Sequence, residues 1–97
     1  MANKVYVLID AGLGRSQQAV QAGHALAQLL VDHPELPWRN DTLVYLKCHA
    51  QQLRDIWDSN PFPTAYRSEF REEHYQNKRT AIAYHGDDVS FPELQLI

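Results

Sequence analysis

KVYVLIDAGLGRSQQAVQAGHALAQLLVDH, residues 4–33, decides the fold. Lys4 to Ile9 is rich in β-branched and aromatic residues and reads as a strand. Asp10-Ala11-Gly12-Leu13-Gly14-Arg15 reads as a tight loop, and Ser16 to His33 as a long helix. A strand that turns through glycines into a helix leaves free backbone N–H groups at the helix start. Those groups and the helix dipole favour an anion there. At about 100° per residue, Gln17, Gln21, His24, Gln28 and Asp32 fall within about 80° of one another. Apart from Ser16, Gln18 and His33, the rest of the helix is apolar or small. The pattern predicts a mostly buried helix with one polar seam facing a cleft.

Beyond it, His33-Pro34-Glu35-Leu36-Pro37 is a helix stop, and Trp38 to Asp41 completes a loop. Thr42 to Cys48 reads as a second strand. Ala50 to Ser59 reads as a second helix, with Leu53, Ile56 and Trp57 on one apolar face, and Asn60-Pro61-Phe62-Pro63 ends it. Thr64 to Arg67 is a short third strand, followed by a charged connection to a fourth at Thr80 to Tyr84. His85-Gly86-Asp87-Asp88 is a turn, and Leu94 to Ile97 adds a short terminal strand. Two successive strand–helix–strand units favour right-handed crossovers and parallel pairing, whereas the last two strands lack a crossover helix and leave room for an antiparallel pair. The expected fold is α/β: a three-layer α/β/α domain over residues 1–97 with a mixed, mostly parallel sheet of about four strands.

Composition bounds the function. Ninety-seven residues make one domain, which buries about 60–65% of its unfolded surface, enough for a core without staples. A net charge of −3 argues against a strong nonspecific nucleic-acid binder. Between Arg67 and Arg79, however, four cations meet three acids, so this segment is +1 and the remainder −4; it reads as a solvated charged loop. The single Cys48 excludes an internal disulfide and reads as a small buried hydrophobe. Lys4 is followed by only five apolar residues before Asp10, which is no secretory leader, and no stretch approaches the ~20 apolar residues of a membrane span. The chain reads as cytoplasmic, with no membrane partner.

Familiar motifs fail on inspection. Gly12 and Gly14 supply G-x-G, but Gln17 stands where a dinucleotide fingerprint has its third glycine, and the second strand ends in Lys47-Cys48 rather than an acid. Cys48 and His49 are strand neighbours whose side chains point to opposite faces. His85, Asp87 and Asp88 have no second cluster at ligand spacing, so neither a metal nor another cofactor is expected. No nucleophile elbow is present. His24, in the middle of a largely apolar helix, reads by itself as a satisfied structural histidine, and Gln21 one turn away adds weight to the alternative of a site residue.

Leu13-Gly14-Arg15-Ser16-Gln17-Gln18-Ala19-Val20-Gln21-Ala22-Gly23-His24-Ala25 resembles the opening loop and helix of the second-type peptidyl-tRNA hydrolase family of archaea and eukaryotes. That family has a Met-Gly-Lys-Gly-Lys loop and then an Ala-Ala-Gln-x-x-His-Ala core. Thr42 to Lys47 resembles its valine-rich second strand, and Pro63-Thr64-Ala65 the lead-in to its Asp-Ala-Gly-Arg-Thr segment. Thr80-Ala81-Ile82-Ala83-Tyr84 resembles its Thr-Val-Leu-x-Ile strand, and Glu93-Leu94-Gln95-Leu96-Ile97 its closing segment. The likeness runs in order along nearly the whole chain, with the Gln-x-x-His core as its specific part. The departures are as informative. The second loop lysine falls on Gln17. The family's acid falls on Glu69 counted from Pro63 or on Ser68 counted back from Thr80. Its arginine falls on or beside Arg71.

The resemblance implies metal-free hydrolysis of the ester joining a peptide to tRNA, with a positioned water, a base and donors for the oxyanion. It implies Glu69 or His24 as the base and Gln17 and Gln21 as orienting or charge-stabilising groups. It implies Arg15, Arg71 and Arg79 as phosphate contacts, with tRNA as partner and a homodimer as the family often forms. The alternatives are a catalytically degenerate member that binds RNA or protein, and a hydrolase of another ester or amide.

Overall fold

A computed structural model describes residues 3–97. The elements are β1 (Lys4–Asp10), α1 (Arg15–Asp32), β2 (Thr42–Cys48), α2 (Ala50–Ser59), β3 (Tyr66–Glu72), a 3₁₀ turn (Glu73–Tyr75), β4 (Lys78–His85) and β5 (Gln95–Leu96). They form one five-stranded α/β sheet in the order β3-β4-β1-β2-β5.

β1 is central, flanked by β4 and β2, and its side chains from Val7 to Asp10 are all buried. Its alternation divides the core. Val5, Val7 and Ile9 join Ala22, Ala25 and Leu29 of α1 on one face, while Leu8 joins Leu53 of α2, Tyr84, Val89 and Phe91 on the other. Each fully buried aliphatic side chain contributes about 1.5–3 kcal/mol. α1 starts at Gly14, whose backbone is extended and lends no side-chain cap, and ends where Pro34 prevents another turn. α2 ends at Asn60, which takes the left-handed conformation that asparagine tolerates, directly before Pro61.

The structure corrects several expectations. The sheet has five strands rather than four. It is not mostly parallel: among the described residues only β1 and β2 run parallel, while β4 pairs antiparallel with both β1 and β3, and β5 antiparallel with β2. The reason is the short link from Glu72 to Lys78, which closes a hairpin and cannot span the crossover that a parallel return requires. The charged connection is in large part strand, since β3 continues through Glu72 and β4 begins at Lys78. Finally, α1 is not mostly buried. Only Gln21, Ala22, Ala25 and Leu29 are fully covered, and Val20, Leu30 and Val31 are exposed.

The polar seam of α1 faces no cleft. It lies along the inward side of edge strand β3. Gln21 Nε2 donates to Glu72 Oε1 at 2.8 Å, His24 stacks on Phe70 with centroids 4.5 Å apart, and Ser68 Oγ donates to Asp32 Oδ2 at 2.7 Å. Two of these polar helix residues are thus matched by polar strand residues, and His24 by an aromatic one.

Candidate functional site at the carboxyl end of β1

β1 runs into α1 on one face of the sheet, and the adjacent parallel β2 runs into α2 on the other. Such a switch point leaves a crevice beyond the strand ends, the usual place for a ligand in an open α/β sheet. Here one crevice of about 440 Å³ is lined by Ala11, Lys47, His49, Gln52 and Glu93 among others. A second hollow beside it is bounded by Ala11, Arg15, Gln18 and Lys47. Gln18 Nε2 donates to Leu13 O at 2.7 Å and ties down the loop.

Asp10 anchors this end. It is 2% exposed; its Oδ1 accepts from the Gly12 N–H at 2.8 Å, and its Oδ2 sits 2.8 Å from Lys78 Nζ. The Asp10 carboxylate leaves little space over Gly12, where an added Cβ would stand 3.1 Å from Oδ1. On the α1 face, Gln21 is fully buried. It donates to Glu72 and accepts from Thr80 Oγ1 at 2.6 Å, with Gln17 at 3.5 Å as a weaker neighbour. Thr80 reaches Gln21 because the β3–β4 register slips between Phe70 and Arg71. Phe70 opposes Ala81 and Arg71 opposes Arg79, so Thr80 is the extra residue of a bulge, which re-aims its side chain.

The Gln21 amide donor, helped by His74, holds the Glu72 carboxyl below its ordinary range. Glu72 is therefore an ionised acceptor and a weak base. Cys48 is 4% exposed, and burial, with the Asp10 charge beside it, pushes its thiol up to about 12. It is a protonated core side chain rather than a nucleophile.

The residues expected at a site are only partly brought together. Gln17, Gln21 and Arg15 share the first turns of α1. His24 is exposed on the same helix. Glu69 is on the other face of the sheet, with Oε1 2.8 Å from Arg71 Nε and 2.9 Å from Arg79 Nε. Arg79 lies 5.6 Å over Trp57 of α2, which fixes the side on which Glu69 sits. Ser68, the alternative acid position, is buried against Asp32. Asp10, Glu72, Lys78 and Thr80 are the polar residues that sequence reasoning passed over. Asp10 carried the clearest signal, as the acid that closes an otherwise apolar strand. Among the described residues, no three of His, Cys, Asp and Glu gather as metal ligands, and no helix is long and apolar enough to cross a membrane.

No family model matches the chain, and no curated protein matches it. Among solved structures it is similar to a protein of unknown function from Agrobacterium tumefaciens strain C58. The TM-score is 0.69 at 14% identity, over 90% of this chain and 88% of that one. At that identity the likeness is one of fold.

Proposed function

We propose that this chain is a divergent relative of the second-type peptidyl-tRNA hydrolases that holds the acceptor end of tRNA without cutting its ester. The observation that carries the reading is where the two alternative bases stand relative to Gln17 and Gln21. His24 stands on the α1 face of the sheet and Glu69 on the α2 face, bound by two arginines. A hydrolytic water needs its base and its oxyanion donors within hydrogen-bond reach of one point. The sheet divides Glu69 from Gln17 and Gln21, and among the described residues the hydrogen bonds of Gln21 go to Gln17, Glu72 and Thr80 rather than to His24. Gln17 in the lysine position brings no positive charge. The carboxylate that does reach Gln21 is Glu72, already committed as an acceptor.

What suits binding is retained. α1 begins without a side-chain cap and without an acid in its first turn, and Arg15 and Lys47 flank the hollow before it. RNA fits better than a protein docked on an exposed indole. Trp38 is buried and donates to Thr42 O at 3.1 Å, and Trp57 is covered by the Arg67 guanidinium at 3.7 Å. We read the packing of α1 and α2 on opposite faces as the three-layer α/β/α arrangement of this scaffold.

The test is tRNA binding across a salt series. The expected result is binding that weakens with salt, with Arg15→Ala lowering both affinity and the salt slope, the latter by about 1. Salt-insensitive binding, or affinity unchanged by Arg15→Ala, refutes the reading. A second reading, a hydrolase built on Glu72 instead of Glu69, is favoured by the Thr80–Gln21–Glu72 chain of hydrogen bonds beside the Asp10–Lys78 pair. It requires ester cleavage that disappears in Glu72→Gln.

A further inference from the structure

The face of the sheet opposite His24 carries a further concavity, of about 480 Å³, between α2 and the β3–β4 hairpin. Arg54, Arg71, Lys78 and Arg79 line it, with Asp58 as the one lining carboxylate. Counting Glu69 and Asp10, which hold three of these cations from behind, the group keeps one positive charge in excess within a chain of net −3. We propose that this bowl binds the phosphate or diphosphate group of a small molecule.

The acids behind the cations orient them more than they consume them. Arg79 gives only its Nε to Glu69, at 2.9 Å, which leaves both terminal amino groups without a protein acceptor among the described residues. Its side chain is 14% exposed and lies over Trp57, so it is held in place before a ligand arrives. Arg71 spends Nε on Glu69 at 2.8 Å and Nη1 on Asn77 O at 3.2 Å, keeping its other amino group. Arg54 enters no ion pair among the described residues. Three planar guanidinium groups around one concavity match the several oxygens of a phosphate dianion, and prior orientation reduces the ordering cost of binding. α2 begins at Ala50 on the rim, with no acid in its first turn, and adds its positive dipole end. The cations gather within one bowl rather than along a stripe, which suits a terminal phosphate better than a nucleic-acid backbone.

The inference does not rest on the tRNA reading, because the hollow by Arg15 and Lys47 is a different surface. It is tested by titrating the full chain with inorganic pyrophosphate at fixed ionic strength, by calorimetry and by amide NMR shifts. The expected result is saturable binding with shifts centred on residues 50–54 and 76–79. Arg54→Gln and Arg71→Gln should each weaken it about ten-fold, while Arg39→Gln, in a remote loop, leaves it unchanged. Arg54→Gln removes no ion pair of the fold among the described residues, so its loss of binding is not a loss of structure. Absence of saturable binding overturns the inference. So does an equal loss in Arg39→Gln, or displacement of pyrophosphate by a short RNA that has no terminal phosphate.

Discussion

Gln21→Met is the most informative single change. Methionine matches glutamine in length and volume, so the substitution opens no cavity and its cost is that of lost hydrogen bonds. Gln21 is fully buried between Thr80 Oγ1, which donates to it at 2.6 Å, and Glu72 Oε1, to which it donates at 2.8 Å. Without the amide, the buried Thr80 hydroxyl is left with no acceptor, at a cost of about 1–3 kcal/mol. For a domain of this size each kcal/mol moves Tm by about 4–8 °C, so a fall of about 8–16 °C is expected for a central value of about 2 kcal/mol. Thr80→Val alone strands the Gln21 carbonyl oxygen instead. The double variant removes both partners and should cost about 1–2 kcal/mol less than the sum of the singles.

pH adds an independent check. Glu72 has a lowered carboxyl pKa in the folded chain, so its stabilisation is present above the unfolded pKa and is lost as pH falls through the folded one. The gap between wild type and Gln21→Met should therefore narrow in acid. Urea unfolding at neutral and acid pH measures all of this. A single-variant cost below about 0.5 kcal/mol, or a strictly additive double variant, refutes the claim that this buried network supports the fold.

His24→Ala should cost only about 0.5–1 kcal/mol in thermal unfolding, because the ring is exposed and its close partner is Phe70; a loss typical of a buried residue would contradict that placement. Cys48 should react with a thiol reagent at pH 8 at least about a hundred-fold more slowly in the native chain than in urea, given its burial and its thiol pushed up to about 12. Gln76→Gly should stabilise by about 0.5–1 kcal/mol, since Gln76 holds φ 58 in the hairpin turn, a conformation glycine adopts without steric cost; unfolding at equilibrium reads the difference.

The first half of the chain was legible for a plain reason. The apolar run of β1, the glycine turn and the double-proline stop are local signals, and the β1, α1, β2 and α2 boundaries fall within one residue of expectation. β3 was cut short because its inward residues, Ser68, Phe70 and Glu72, are mostly polar. They meet the polar seam of α1, so apolar alternation, the usual mark of a half-buried strand, is missing. The same matching hid the site. Glu72 is recognisable as the partner of Gln21 only once α1 is laid on β3, and Thr80 reaches it only through a bulge. The antiparallel entry of β4 had a readable signal in the short link after Glu72.

The central claim, a hydrolase-like fold turned from cleavage to binding, is tested most directly by single-turnover release of peptide from labelled peptidyl-tRNA, with and without a chelator, using protein shown to be folded. The account predicts release no faster than in buffer while the same tRNA is bound. Chelator-resistant release that collapses in Glu72→Gln or His24→Ala would contradict it and make the chain a working hydrolase.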